Sequence, residues 1–414
     1  MIKPISISLS PNTEQDDTLL AFKLLFQPWK WVRGSAEEKL EREFQSRFNI
    51  QYAVSFNSGR SSLMAILHGL HLQEGDEVLL QAFTCNAVPN PALWAGLTPV
   101  YVDCKETDWN MDAEDLKRKI TPKSKAVILQ HTFGLPADID AIVQICKERG
   151  LFLIEDCAHA LGAKYKGRYA GTFGDAALFS FSRDKVISCV YGGMAATNNG
   201  ALAQRIKRYQ EESGYPSGCW VLQQLLHPVA MNWKILPLYG IGGKVLLPVL
   251  QYLRILSKAV HWKEKRGFKP DYFPKRLPSA LAILALRQFS KLAAFNAHRK
   301  NVAAYYNEAL KETEFHFLQD DPAKERVWLR YPVRSNRAHD IIKRAWKQNL
   351  LIGDWYTYPV APDDTRLYKM RYIKGTCPTA ERLAQTTFNL PTHINIKKRD
   401  AERIANFLLE KKNS

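Results

Sequence analysis

The chain has 414 residues, 46% of them hydrophobic and 24% charged, with 22 Gly and 21 Pro. That is an ordinary globular composition, long enough for about two or three folding units, and it excludes collagen-like, low-complexity and wholly disordered classes. The 58 Lys and Arg against 41 Asp and Glu leave a net charge of +17, which favours a polyanionic partner without choosing among a phosphorylated substrate, a nucleic acid and an anionic membrane surface.

Seven cysteines, an odd number without a C-x-x-C pair, fit neither a disulfide framework nor a zinc site and point to a reducing cytosol. The first residues carry no continuous apolar run before Pro11–Asp17, so a cleaved signal peptide is not expected. From residue 50 onward short apolar runs alternate with amphipathic ones. Strands are expected at Tyr52–Phe56, Glu77–Gln81, Pro99–Asp103, Ala126–Gln130 and Leu151–Glu155, and helices near 61–71, 86–96, 112–119 and 138–149. Two more strands follow at Ala176–Phe181 and Gly193–Thr197, then a helix over 201–212. Runs such as Ala126-Val-Ile-Leu129 imply strands covered on both faces, hence a mainly parallel seven-stranded sheet between helices. Ligands of such sheets sit at the carboxyl ends of the strands.

Residues 219–260 interrupt this march with Leu, Val, Trp and Tyr, broken by Pro228, Pro237, Pro248 and Gly240-Ile-Gly-Gly243. Lys234, Lys244, Arg254 and the prolines argue against a spanning helix. Two readings remain for this insertion. It covers the core or a dimer surface, or it rests peripherally on an anionic membrane with Trp220 and Trp233 in the headgroup layer. Beyond it come a long helical pattern from Leu277 to about Leu310, strands around Val327–Val333 and a last helix near Arg399–Leu409, the texture of a smaller α+β domain. The expected division is 1–262 and 263–414.

Three motifs carry chemistry. In Ile154-Glu-Asp-Cys-Ala-His-Ala160 a carboxylate, Asp156, ends a buried strand. In Phe179-Ser-Phe-Ser-Arg-Asp-Lys185 a lysine leaves the next strand toward Gly192-Gly193, where a backbone can approach a ligand closely. Asn57-Ser-Gly-Arg-Ser-Ser-Leu63 is a Gly-containing turn entering a helix, whose free N–H groups suit a phosphate. In that order they supply what pyridoxal 5'-phosphate needs: an anion site, a partner for the pyridinium and a Schiff-base amine.

At these residues the sequence resembles the DegT/DnrJ/EryC1/StrS sugar aminotransferases, fold-type I pyridoxal-phosphate enzymes. The resemblance runs from Trp31-Val-Arg-Gly34 through Gly96–Asp103, His131–Asp138 and Arg276–Gln288 to Asn389-Leu-Pro-Thr-His393. It implies that Lys185 carries the cofactor, Asp156 holds the pyridinium nitrogen and His159 sits near the phenolic oxygen. It implies further that Gly59, Arg60 and Ser61 with Ser180 hold the phosphate, and that Cys85 stands where an aromatic residue usually stacks on the ring. It also implies a homodimer that takes an amino donor, glutamate by analogy, and a nucleotide-linked keto sugar, with no nucleic acid. Such enzymes serve cell-surface polysaccharide synthesis.

The chain also departs from the family pattern. Gly59-Arg60 replaces Gly-Thr, Val190-Tyr-Gly-Gly193 replaces Gly-Glu-Gly-Gly, and Pro274 replaces an Asn near Arg276. These changes mark a divergent branch. Bland alternatives stand beside each role: Asp156 as a cap, His159 as a hydrogen-bonded core residue, Arg60 as an exposed cation and Cys85 as a small buried hydrophobe, while Tyr356 and Tyr358 of Trp355-Tyr-Thr-Tyr-Pro359 either line a substrate cleft or pack. Two other functions are weighed, a sugar dehydratase, in which histidine typically replaces the lysine, and a non-catalytic scaffold at a membrane-bound assembly.

Overall fold

The computed structural model describes residues 3–318 and 321–410. Seven strands form the central sheet: β1 (Tyr52–Phe56), β2 (Glu77–Gln81), β3 (Thr98–Val102), β4 (Ser124–Gln130), β5 (Phe152–Asp156), β6 (Ala176–Ser180) and β7 (Gly193–Thr197). Their spatial order is β1-β7-β6-β5-β4-β2-β3. The run from β6 through β5, β4 and β2 to β3 is parallel, as the continuous apolar strands predict. β7 is antiparallel to both neighbours. The reason lies in the connection: Phe181–Gly192 is a loop with no crossover helix, and a strand returning through such a loop must reverse direction. That loop contains Lys185, so the reversal sets the lysine at the carboxyl end of β6.

The chain after the sheet builds a small antiparallel sheet, β8 (His316–Phe317), β9 (Tyr331–Arg334) and β10 (Thr387–Leu390), in the order β8-β9-β10. Two expectations shift here. The strand anticipated at 327–333 begins only at Tyr331, because Val327 and Leu329 donate instead to the carbonyls of Gly134 and Phe133 (both 3.1 Å). The long helix expected from Leu277 is two helices, Ser279–Ser290 and Leu292–Ala309. Lys291 leaves helical geometry (φ −92°, ψ −4°), and its ammonium is held by Glu14, Asp16 and Asp17 of the amino-terminal segment.

The 219–260 segment is helical as far as Tyr252, apart from a turn over 236–238. Gly218–Ala230 continues through a wide turn, Met231–Ile235, into a bend at Pro237 and a second arm, Lys244–Tyr252. Gly243 is required at the bend, since a Cβ there would lie 2.2 Å from the Ile235 carbonyl oxygen. Among the described residues no single helix is long and apolar enough to cross a membrane. Gly218–Ile235 and Tyr239–Tyr252 reach that measure only together, bent by 107°. Trp220, which only the membrane reading places in the headgroup layer, is half-buried and packs on Tyr191 and Tyr272 (centroids 5.4 and 6.1 Å). Trp233 is exposed at 39% and touches Phe22.

Candidate active site

Seven of the residues singled out in the sequence, Gly59, Arg60, Cys85, Asp156, His159, Ser180 and Lys185, line one cavity at the carboxyl ends of the strands. The strand period explains the selection. Successive side chains point to opposite faces, so Leu178 and Ser180 of β6 turn to the cavity while Phe179 packs in the core, edge-to-face with Phe44 and stacked on Phe48. On β5 the same alternation separates two adjacent acids. Asp156 faces the cavity. Glu155 turns away and accepts from the N–H groups of Gly171, Phe173 and Gly174 and from His131 Nε2 (3.1 Å). Burial opposes its charge, but His131 and these amides hold its carboxyl below the ordinary value. Glu155 is therefore a structural anchor for the 171–174 turn.

Asp156 is 4% exposed. Among the described residues only the Ala158 N–H donates to its carboxylate (2.9 Å), and burial pushes its pKa up. A buried carboxylate with a single amide donor and no direct ion pair is left with room for a cation at hydrogen-bond distance. Lys185 is the complementary group. Its ammonium makes no ion pair or hydrogen bond among the described residues and lies over the Trp355 ring at 4.8 Å, and burial lowers its pKa. The backbone around it is clamped: Asn12 Nδ2 donates to the Lys185 carbonyl, and Arg299 donates to that of Val186 (2.9 Å). Arg330, paired with Asp184 (3.2 Å), lies against Trp355. The reactive side chain is free while its main chain is fixed.

His159 is buried, and its Nδ1 accepts from the Phe133 N–H (3.3 Å). A neutral ring that accepts at Nδ1 carries its hydrogen on Nε2, which lies 3.4 Å from the Tyr356 hydroxyl. Burial, with Lys185 and Arg330 nearby, lowers its pKa well below the ordinary value and keeps it neutral.

The phosphate turn divides its residues. Gly59 opens the Gly59–Gly69 helix, and a Cβ there would meet Ser180 Cβ at 3.1 Å, so glycine permits the close approach of the turn to β6. Ser61 does not line the cavity: its N–H is capped by Ser58 Oγ (3.1 Å) and its hydroxyl donates to Asn57 Oδ1 (2.7 Å). The Arg60 guanidinium, expected either at a phosphate or in solvent, is 9% exposed and bound to buried Glu264 at 2.6 Å. The exposed alternative is thereby corrected. Lys275 donates to the Ser213 carbonyl and Arg276 pairs with Glu37, both within the chain.

Of the two tyrosines weighed as cleft or packing residues, the structure brings Tyr356 to the cavity's far wall and leaves Tyr358 outside it. Thr84–Cys85 pairs in parallel with Val360–Ala361, which carries Trp355 and Tyr356 to the cavity; Tyr358 stays 39% exposed. Gln130, Ala259 and Val260 complete it. The two-residue bridge is too short to give a periodic signal. Burial raises the Cys85 thiol, so it stays protonated.

A parallel sheet with a lysine and an aspartate at its carboxyl edge has a counterpart among known proteins. The model of the DegT/DnrJ/EryC1/StrS aminotransferase family matches residues 12–235 and 253–409. The chain belongs to that family. It is 39% identical over 201 residues to the GDP-perosamine synthase of Escherichia coli O157:H7, spanning 49% of this chain and 54% of that enzyme, about half its length. It is 26% identical over 392 residues to the UDP-N-acetyl-3-dehydro-alpha-D-glucosamine 3-aminotransferase of Acidithiobacillus ferrooxidans, covering 94% of this chain and 92% of that one. Among solved structures, Helicobacter pylori PseC, an aminotransferase involved in pseudaminic acid biosynthesis, aligns with a TM-score of 0.77 at 20% identity over 99% of both chains. S. venezuelae DesV aligns at 0.74 and 24%, over 96% of this chain and 94% of that one. These two likenesses show a shared fold, with its large, mostly parallel sheet.

Proposed function

We propose that the chain is a pyridoxal-phosphate-dependent aminotransferase that moves an amino group, with glutamate as donor, onto a nucleotide-linked keto sugar. The observation that carries this reading is a buried carboxylate and a lysine amine that share one cavity and feel each other's charge without a direct ion pair among the described residues. The cofactor, when bound, supplies a carbonyl through which the amino group passes and an electron-withdrawing ring. Asp156 would hold the ring nitrogen in its protonated form, and that cation would offset the cost of burying the carboxylate. Gly59, Arg60 N–H and the Ser180 hydroxyl would hold the phosphate, while Ser61 is held by the Ser58 cap and by Asn57 and stays out of the cavity. His159 would offer its Nε2 hydrogen to the ring oxygen, steered by Tyr356.

Lys185 would be the residue that holds the cofactor covalently, and its amine, when free, would carry a proton to and from the donor carbon. Its lowered pKa leaves more of it neutral and able to do both. Trp355 covers its ammonium and restricts water. The same reading has the enzyme acting as a homodimer on the cytoplasmic side, in polysaccharide or glycoconjugate synthesis.

Borohydride reduction of the cofactor-loaded protein followed by peptide mapping tests the assignment. The label is expected on the peptide containing Lys185; a label on another lysine, or none, overturns it. Amination of a nucleotide-linked keto sugar with glutamate tests the substrate class, and turnover only with amino-acid ketones would refute it.

A further inference from the structure

The arm Lys244–Tyr252 is apolar on both of its faces. Leu246, Leu247 and Leu250 pack on a small cluster of Met231, Ile235, Leu236 and Leu256. The opposite side carries Val245, Val249 and Tyr252, at the i, i+4, i+7 spacing of one helical stripe, and these are 66%, 44% and 85% exposed. Ile241, Leu253 and Ile255 extend it at 64%, 57% and 42%. A helix apolar all round belongs in a core or against a membrane, and none of this arm's residues is buried.

Charge indicates what covers the stripe. From Gly214 to Lys263 the sequence has no Asp or Glu, against Lys234, Lys244, Arg254, Lys258 and Lys263. The first four are exposed and make no ion pair among the described residues. A second copy meeting this face through a two-fold axis would set these cations against themselves. An anionic bilayer surface complements both features, accepting apolar side chains into the headgroup boundary and attracting the cations around them. The family model leaves out residues 236–252, so the arm is an addition of this chain.

The addition is fastened to the cavity. Arg183, two residues before Lys185, donates to the Ser257 carbonyl (2.6 Å), the Tyr191 hydroxyl donates to that of Lys258 (2.6 Å), and Ala259 and Val260 line the cavity. We infer that the 236–255 arm docks on an anionic membrane surface through Val245, Val249 and Tyr252 with Lys244 and Arg254, setting the rim of the cavity beside the bilayer. The membrane is lain upon and not crossed, and the docking is independent of the cofactor reading.

Vesicle co-sedimentation of the full chain tests this, with phosphatidylcholine vesicles with and without one-third phosphatidylglycerol. The protein is expected to pellet with anionic vesicles at low salt, poorly with neutral ones, and to be released at high salt. Neutralising Lys244 and Arg254 to Gln should weaken binding by about fivefold each. V245S/V249S/Y252S should lose at least about tenfold while keeping its circular dichroism and borohydride label. No binding to anionic vesicles at low salt, or unchanged binding by the triple variant, overturns the inference. So does salt-resistant insertion, or a drop in oligomeric state of the triple variant by light scattering, which would make the stripe a subunit contact.

Discussion

Strand β6, Ala-Ala-Leu-Phe-Ser, and the arm Lys244–Tyr252, Lys-Val-Leu-Leu-Pro-Val-Leu-Gln-Tyr, are both dominated by apolar residues. Every residue of the strand is buried, and none of the arm is. The strand has neighbours on both edges and layers on both faces, whereas the arm rests on a small cluster on one side only. Apolar composition therefore sets the tendency to be covered, and the number of layers supplied by the fold decides whether it is. The cavity lies where the two regimes meet. Its floor is held by the sheet, and part of its rim by the end of the insertion.

The sharpest way to break this contrast is at the floor. Lys185→Ala should abolish the borohydride label and lower turnover by at least about a thousandfold, as measured by amino transfer to a keto sugar; the arm variants should leave both untouched. Arg60 of the phosphate turn touches the end of the insertion at the Ala259 carbonyl (3.3 Å) and is anchored just beyond it by Glu264. Glu264→Gln should strand the Arg60 guanidinium and destabilise the chain by about 3–5 kcal/mol in urea unfolding, whereas the double change Arg60→Met with Glu264→Leu should recover most of that loss. If the single change were neutral, the phosphate turn would not be held to the segment that follows the insertion by this pair.

Asp156→Asn should retain some cofactor but lower kcat about a hundredfold, because an amide cannot hold the ring cation as a carboxylate does. Near-normal turnover would make the aspartate structural. The smallest effect concerns pH. The His159 pKa in the folded chain lies below its ordinary value of about 6.5, because burial, with Lys185 and Arg330 nearby, disfavours its charge. Below about pH 6.5 the unfolded chain therefore binds a proton that the folded one refuses, and stability falls as pH drops. The contribution is up to about 1.4 kcal/mol per pH unit. His159→Gln should flatten the unfolding midpoint by that slope between about pH 6 and pH 5. An unchanged slope would assign the acid sensitivity to the other buried histidines, His227 and His393, whose pKa values are also lowered by burial.

Much of this molecule is legible in the sequence because its signals are local. A continuous apolar strand such as β4 or β6 needs no partner to be recognised, and the acid that ends β5 and the lysine that follows β6 are placed by strand direction alone. The two-residue alternation also separates Asp156 from Glu155 once β5 is located. What the sequence could not show depends on pairings far apart in the chain. Trp355 and Tyr356 reach the cavity only because Val360–Ala361 pairs with Thr84–Cys85, across more than 270 residues. Arg60 is an anion-seeking cation by sequence, yet it is taken by Glu264, some two hundred residues on. Trp220 and Trp233 look alike in composition, and only packing turns one inward onto Tyr191 and leaves the other exposed. Local periodicity and strand direction act within a few residues, so the sequence by itself determined the sheet, the lysine and the aspartate. Which cations are neutralised and which apolar faces stay open depends on long-range contacts, and only the tertiary structure decided them.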